Sequence, residues 1–311
     1  MRFVRIRRLL VIATFLAEIL GDRSLAEGPA AQPSVAGNWP QKVVVTVGDL
    51  RTRIDGSKMW TLSGIDFQDT VMATEDSAYG SVLTIRNVGH LGTAHFLDVP
   101  GKPGQVEKEQ VESLQFFVDE MPVSDLTPTM KLSGKSFRME RRSKIRAMNL
   151  ETSILIENEV LIETVHFHAT GPIDLRSAYP WMYALTPKAT AYVFGDKSGI
   201  LHRGKFLSEG KTVSQVVQNA NWMAVFNPSS GKGTVCSFLR HPPTAEGYFL
   251  MIDAPGIYRK VAAYSLIDKI VPEGFDGTYQ SAVGFFNASE RNWEEIALQR
   301  AAEIQASMIE R

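Results

Sequence analysis

Two pairs of histidines carry the residue types best suited to proton transfer in this sequence. His166 and His168 flank Phe167 in a segment of alternating character, from Val160 to Ala169. Residues two apart on a β-strand project from the same face, so the two imidazoles share one surface. Val165 and Phe167 point the other way, and that apolar face is predicted to be core. The histidine face is therefore left for solvent or for a cleft.

The chemistry open to this pair is set by the imidazole ring, which titrates at about pH 6.5. Either ring can take up or release a proton near neutral pH, and the two together can form part of a metal site. A third ligand would be needed for a metal, and His90 or His95 could supply it. Two polar side chains on an exposed strand face are the alternative interpretation.

The second pair lies in the segment His90-Leu-Gly-Thr-Ala-His95, directly after a predicted strand from Ser81 to Val88. Loops at the end of a sandwich often carry function, although histidines that only satisfy local hydrogen bonds fit the pattern too. We predict a catalytic set of His166, His168 and His95, with His90 contacting substrate. No cofactor is expected, a divalent metal is possible, and no metal ligand is assigned.

Aromatic residues form a third group of candidates. Tyr179, Trp181 and Tyr183 occupy odd positions of a predicted strand from Ser177 to Leu185, which places them on one face. A sugar ring packs its apolar C–H face against such rings while its hydroxyls need polar partners. The face is predicted to be either a binding platform or part of the core.

Basic residues crowd the predicted strand from Ser136 to Ala147. Arg138, Arg142, Lys144 and Arg146 share its even-numbered face. Such a face could neutralise the carboxylate of an acidic sugar, as a β-eliminating lyase requires, and Arg142 is the candidate substrate-binding residue. A charged outer strand that prevents aggregation of the sheet is the other interpretation.

The elements that must position these residues are mainly strands. About sixteen segments of roughly 5 to 10 residues alternate in polarity between turns rich in Gly, Pro, Asn and Asp, a pattern typical of a large antiparallel β-sandwich. Asn158-Glu159 is predicted to turn a hairpin. A C-terminal helix is predicted over 289–309. Its apolar stripe consists of Trp293, Ala297, Ala301, Ile304 and Met308.

The N-terminus predicts export. Arg2, Arg5, Arg7 and Arg8 precede an apolar run that ends at Leu20, and Ser24-Leu25-Ala26 follows at the spacing that a signal peptidase reads. We expect a bacterial-type signal peptide over 1–26, a flexible segment over 27–40 and one sandwich domain over 41–311. The run is too short to span a bilayer, so no stable membrane span is expected after cleavage.

Charge and cysteine content exclude several other classes. The 33 basic and 34 acidic residues give a net charge of -1, which offers no field for binding a nucleic acid backbone. Cys236 is the single cysteine, so no internal disulfide can form, and its apolar neighbours predict a buried thiol. The sequence does not predict an oligomeric state.

The chain resembles the galactose mutarotase-like β-supersandwich proteins of carbohydrate-active enzymes. The resemblance spans roughly Leu50 to Phe286 and rests on the strand number and on four short patterns. These are Tyr179-Pro-Trp181-Met-Tyr183, Trp222-Met-Ala-Val-Phe226, the Gly231-Lys-Gly233 turn and Ile257-Tyr-Arg259-Lys260. Arg86-Asn87-Val-Gly-His90-Leu-Gly92 resembles the epimerase segment that carries an Asn and a His, whereas the family's second histidine motif is missing.

The resemblance implies a concave sheet that faces a sugar, and epimerases of this kind pass protons to and from the ring oxygen and the anomeric hydroxyl. We therefore predict an exported carbohydrate-binding or carbohydrate-modifying protein, with proton transfer on a sugar or uronate. A polysaccharide lyase is the second hypothesis. A glycan-binding or structural protein without catalytic activity is the third.

Overall fold

The computed structural model describes residues 39–74, 80–93, 95–240 and 248–309. For Arg240 and Ile309 it describes the backbone only. The predicted signal peptide and residues 27–38 lie outside the described residues. Within these ranges the chain forms 24 strands, a short 3-10 helix over Gly56–Lys58 and the α-helix α1 over Trp293–Ile309. The strands are β1 (Lys42–Val47), β2 (Leu50–Asp55), β3 (Thr61–Phe67), β4 (Thr70–Ala73), β5 (Val82–Ile85), β6 (Gly89–Gly92), β7 (Leu97–Asp98), β8 (Val106–Glu107), β9 (Gln110–Val118), β10 (Met121–Pro122), β11 (Thr129–Gly134), β12 (Ser136–Ile145), β13 (Met148–Glu157), β14 (Val160–Ala169), β15 (Ile173–Leu185), β16 (Ala191–Asp196), β17 (Gly199–Lys205), β18 (Val213–Val217), β19 (Trp222–Asn227), β20 (Lys232–Arg240), β21 (Tyr248–Ala254), β22 (Tyr258–Ser265), β23 (Lys269–Val271) and β24 (Asp276–Asn287).

Two large sheets account for nearly all of these strands. In the described residues, sheet I has 12 strands, with the central order β11-β1-β2-β3-β4-β15-β22-β21-β18, while β5, β6 and β23 attach beside β15. Sheet II has 10 strands in the order β10-β9-β12-β13-β14-β24-β20-β19-β16-β17. The described pairs are antiparallel except for the parallel pair of β1 with β11. The prediction of an all-β sandwich is therefore confirmed, with more and shorter strands than the sequence pattern indicated.

The main core lies between the two sheets. Val165 and Phe167 of β14 face it from sheet II, and Trp181 and Tyr183 of β15 face it from sheet I. The Tyr183 hydroxyl contacts the Ser281 hydroxyl at 2.8 Å, which joins the two inner faces directly. Each sheet therefore has one inner face and one outer face, and the outer faces are on opposite sides of the sandwich.

The helix α1 covers part of the outer face of sheet II. Trp293, Ala297, Ala301 and Ile304 are buried against a second apolar cluster that includes Ile162 of β14, which confirms the predicted stripe. The helix begins at Trp293 and not at residue 289. Ser289 precedes it in a turn, where the N–H and the hydroxyl of Ser289 both donate to the side-chain oxygen of Asn292. Within the described residues, no helix is long and apolar enough to cross a bilayer.

Two predicted turns and the predicted buried thiol are also confirmed. Asn158 and Glu159 both adopt positive φ, at 49° and 59°, as a two-residue hairpin turn between β13 and β14 requires. The turn from Asn227 joins the paired strands β19 and β20. Cys236 is buried in the main core, and burial raises the pKa of its thiol.

Candidate functional site

The two predicted histidine pairs lie on opposite outer faces of the sandwich. His166 and His168 share the outer face of β14 with Ile162, which packs on α1. His95 contacts Tyr179 of β15, which lies on the outer face of sheet I. The structure therefore does not bring the predicted catalytic set of His166, His168 and His95 together, because the core between the two sheets separates His95 from the other two rings.

The loop that carries His95 is held against β5 by a glycine. Gly92 exchanges backbone hydrogen bonds with His95 and has a φ of +144°. A Cβ at Gly92 would lie 2.4 Å from the carbonyl oxygen of Ser81, so a side chain cannot be placed there without moving the backbone. This close approach brings the ring of His95 to 5.8 Å from the ring of His90.

The hydrogen bonds of His95 define which of its nitrogens can act as a base. Its Nδ1 lies 2.8 Å from the carbonyl oxygen of Thr93, and a carbonyl only accepts, so Nδ1 carries the proton. Its Nε2 lies 3.4 Å from the Tyr179 hydroxyl, which donates to it. Burial lowers the pKa of His95, and the nearby charges of His90 and Lys260 lower it further. The neutral ring thus presents an Nε2 lone pair toward Tyr179.

A row of tyrosines extends from this histidine across three strands of sheet I. The Tyr179 and Tyr264 ring centroids are 5.2 Å apart. The next pair, Tyr264 and Tyr248, is also 5.2 Å apart with an angle of 5° between the rings. Tyr179 is only 5% exposed, while Tyr248 and Tyr264 are half-buried and keep part of their ring surface accessible. Burial raises the pKa of Tyr179 and of Tyr264, so both hydroxyls stay protonated.

Lys260 brings the positive charge in this region. It lies on β22 four residues before Tyr264, and residues that are four apart on a strand share a face. Its side chain is half-buried, and burial lowers the pKa of its amine. We name His90, His95, Tyr179, Tyr248, Lys260 and Tyr264 the histidine–tyrosine cluster.

The predicted aromatic platform is divided between two faces of β15. Trp181 and Tyr183 are 0% exposed and belong to the main core, whereas Tyr179 faces outward. A β-bulge between Ala178 and Trp181, which contains Pro180, shifts the register against β22 and reverses the alternation. Trp181 and Tyr183 therefore fit the alternative interpretation as core, and of the three predicted aromatic residues Tyr179 alone lies on the outer face.

The other histidine pair forms a separate, solvent-exposed arrangement. His166 Nε2 lies 2.7 Å from Asp276 Oδ1, and His168 Nδ1 lies 3.5 Å from Asp276 Oδ2, so one carboxylate sits between both rings. The hydrogen bond from His166 holds the pKa of Asp276 below its usual range. The side chains of His166 and His168 are 32% and 47% exposed. The prediction of a shared face is confirmed, and that face is open to solvent.

The basic face of β12 is neutralised by acids. Arg138 pairs with Glu140 and with Glu120, and Arg142 lies 3.3 Å from Glu151. Arg142, the candidate substrate-binding residue, thus already has a carboxylate partner and lies on sheet II, away from the histidine–tyrosine cluster. These contacts favour the interpretation as a charged outer strand.

A groove of about 800 Å³ on the outer face of sheet II contains neither histidine pair. Polar side chains of Thr164, Gln280 and Gln305 line it together with Leu239. Its amides and hydroxyls can bind a ligand, but they do not supply a base. Among the described residues, no group of three or more His, Cys, Asp or Glu side chains is arranged to hold a metal ion.

Sequence reasoning missed three members of the histidine–tyrosine cluster, namely Tyr248, Lys260 and Tyr264. Their signal is a period of two on β22, where Lys260, Ala262 and Tyr264 alternate with the buried Arg259, Val261 and Ala263. Tyr248 lies directly opposite Tyr264 in the register of β21 with β22. The alternation was readable, whereas the pairing of these strands with β15 was not.

No family model matches the chain, and no curated protein matches it. Solved structures that align with it include galactose mutarotase-like proteins, the group that the sequence resembles. One is the Slr1438 protein of Synechocystis, at 10% identity and a TM-score of 0.47, covering 84% of this chain and 99% of that one. Another, an Escherichia coli protein proposed to be an aldose 1-epimerase, has 10% identity and a TM-score of 0.45. The alignment covers 79% of this chain and 99% of that one. A galactose mutarotase-like protein of Clostridium acetobutylicum has 7% identity and a TM-score of 0.43. The alignment covers 78% of this chain and 94% of that one. At these identities the similarity concerns the fold.

Proposed function

We propose that this protein binds a saccharide on the histidine–tyrosine cluster and transfers a proton at its anomeric centre. The observation that carries the proposal is the environment of His95, whose Nδ1 donates to Thr93 and whose Nε2 faces the Tyr179 hydroxyl. A neutral imidazole with a fixed tautomer and a lowered pKa is suited to act as a general base.

The tyrosine row supports a saccharide as the ligand. The half-buried rings of Tyr248 and Tyr264 offer apolar faces next to the polar groups of His95 and Lys260. A pyranose needs this combination, because one side of its ring is lined with C–H groups and its edges carry hydroxyls. The arrangement agrees with the sugar-facing sheet that the sequence resemblance implies.

A balanced proton transfer can be written with two residues of this cluster. The anomeric hydroxyl replaces the Tyr179 hydroxyl at His95 Nε2 and transfers its proton there, the bond between the anomeric carbon and the ring oxygen breaks, and His90 donates a proton to the ring oxygen. The 5.8 Å between the two ring centroids suits two oxygens of one sugar ring that lie between them. Closure of the open chain on the other face of the carbonyl returns both protons and gives the other anomer.

Exchange spectroscopy of sugar anomers tests this proposal. We expect the wild-type protein to accelerate exchange between the α and β anomers of a hexose or a hexuronate, whereas His95→Asn does not. Because the base must be unprotonated, the rate should fall on the acid side of neutral pH. The fall should occur below pH 6.5, the ordinary value for histidine, since the pKa of His95 is lowered. An unchanged rate in His95→Asn would contradict proton transfer at this site.

We also propose that the protein is exported, since the basic and apolar N-terminal segments that end near Ala26 fit a signal peptide. Expression of the full chain in a bacterium, followed by fractionation and N-terminal sequencing, tests this proposal. A mature form beginning near Glu27 outside the cytoplasm is expected. An intact N-terminus in the cytoplasmic fraction would contradict it.

A further inference from the structure

We propose that Lys260 is the anion-binding residue of the histidine–tyrosine cluster, so that the preferred saccharide carries a carboxylate or a phosphate. This inference rests on the proposed function, because it names the substrate class of the same surface. It comes from the contacts of one cation and from how the other buried cations of the molecule are compensated.

Buried cations elsewhere in the described residues have oxygen partners. Arg141 lies 3.3 Å from Glu109 in the core, and Arg259 pairs with Asp253. Lys232, the nearest equivalent of Lys260, lies 2.8 Å from the carbonyl oxygen of Gln68 and has two further oxygen partners at 2.9 and 3.1 Å. At these three positions the fold compensates a positive charge that it withdraws from water.

Lys260 has no such oxygen partner among the described residues. Its ammonium group lies 5.1 Å from the ring centroid of Tyr258, and no carboxylate of the described residues forms an ion pair with it. Its strand neighbours on the outer face, Ala262 and Tyr264, bring no negative charge. Partial burial of a cation without an anion costs free energy, and a bound anion would recover it.

The electrostatic interaction of Lys260 with the base gives the anion a second effect. The charge of Lys260 contributes to the lowered pKa of His95, so the ammonium group and the imidazole interact. An anion that pairs with Lys260 offsets this repulsion and should raise the pKa of His95. The acidic group of the ligand would thus be bound at one end of the cluster while its anomeric centre lies at the other.

Binding titrations with three classes of sugar test the inference. The probes are galactose, galacturonate and galactose 6-phosphate, titrated into the wild-type protein by calorimetry at constant ionic strength. We expect at least one of the two acidic sugars to bind about tenfold more tightly than galactose, the size of effect that one charge-assisted contact gives. Whichever binds more tightly, galacturonate or galactose 6-phosphate, identifies the anionic group as a carboxylate or a phosphate.

Two variants of Lys260 and one control separate this contact from general charge effects. Lys260→Met should remove the preference and bring the affinity for the acidic sugars to that for galactose, while Lys260→Arg should retain the preference. Lys269→Met removes an exposed positive charge from the same sheet and should change neither affinity. In parallel, ring-proton NMR of His95 should show its pKa rising when the acidic sugar binds.

The outcomes distinguish this inference from the proposed function. If galactose and both acidic sugars bind equally, and His95→Asn still abolishes anomeric exchange, the inference is overturned and the proposed function stands. If Lys260→Met keeps the full preference, the anion binds elsewhere and the inference is likewise overturned. If none of the three sugars binds and no exchange is accelerated, both are overturned.

Discussion

His95 and His168 both project from the outer face of a large sheet, yet their surroundings differ in almost every respect. The ring of His95 lies beside Tyr179 and near the ammonium of Lys260. The ring of His168 lies in solvent, 3.5 Å from the carboxylate of Asp276. Burial and a neighbouring cation favour the neutral, basic form of the first imidazole, whereas the second is exposed and shares one carboxylate with His166. Two histidine pairs of similar spacing are therefore suited to different chemistry.

The largest expected effect is a difference between the two histidine pairs in the rate of anomeric exchange. His95→Asn should lower the rate of anomeric exchange by about two to four orders of magnitude, the usual contribution of a general base. His168→Asn should leave the rate within about twofold, since the sandwich core separates it from the cluster. Exchange spectroscopy on both purified variants measures this difference. A loss of rate in His168→Asn that equals the loss in His95→Asn would break the comparison.

The next largest effect concerns the inner face of the strand that carries His168. Glu163 lies on β14 but points into the core, where Tyr183 donates to it at 3.2 Å, and burial raises its pKa to about 7. The folded protein therefore keeps this proton up to about pH 7, whereas the unfolded chain loses it near 4.5, the ordinary value. Stability should fall as pH rises between these values, by about 3 kcal/mol at most.

Urea unfolding at pH 5 and at pH 8 measures this effect. Glu163→Gln should match the wild type at pH 5 and exceed its free energy of unfolding at pH 8. Glu151→Gln, on the exposed face of the neighbouring strand, should follow the wild-type pH dependence. Parallel curves for wild type and Glu163→Gln would show that Glu163 does not titrate in this range.

A smaller effect tests the aromatic part of the comparison, which only the His95 pair possesses. Tyr264→Ala should weaken saccharide binding by about three- to tenfold, because a packed ring contributes about 0.5–1.5 kcal/mol beyond its area. Tyr264→Phe retains the ring and should keep the affinity. Calorimetric titration distinguishes the two variants, and equal losses would assign the effect to the hydroxyl and not to the ring face.

The smallest effect is expected at the exposed pair. Asp276→Asn removes the carboxylate between His166 and His168 but leaves the cluster on the other sheet untouched. The melting temperature should change by about 2 °C or less, because exposed ion pairs contribute little. Anomeric exchange should not change. Thermal unfolding at low and high salt checks this, and a large shift that persists at high salt would reveal a structural role for Asp276.

Much of the fold was predictable because strand alternation is a local property. The pattern in 160–169 placed Phe167 in the core and His166 and His168 on one outer face, and the structure has both features. The turn at Asn158 and the apolar stripe from Trp293 were likewise readable from neighbouring residues. Local patterns suffice wherever a residue and the residues that determine its position are close in the chain.

The candidate site was less predictable because its parts come from distant segments. His95, Tyr179 and Lys260 are brought together by the pairing of β15 with β5 and β22, and a single sequence contains no information on that pairing. The bulge at Pro180 misled the prediction in a different way. It inserts one residue into the strand, so Tyr179 faces outward before it, whereas Trp181 and Tyr183 face inward after it.

That bulge makes β15 a strand with two functions. Proline has no backbone N–H, so Pro180 cannot supply the donor that would restore a regular ladder at this position. Its carbonyl oxygen instead accepts a hydrogen bond from the Ser81 hydroxyl at 2.8 Å. Tyr179 and Pro180 together oppose the single residue Tyr264 of β22, so Pro180 is the extra residue of the bulge. Deletion of Pro180 alone would therefore leave Tyr179 facing outward and Trp181 facing inward, whereas deletion of a residue outside the bulge would exchange surface and interior along the rest of the strand.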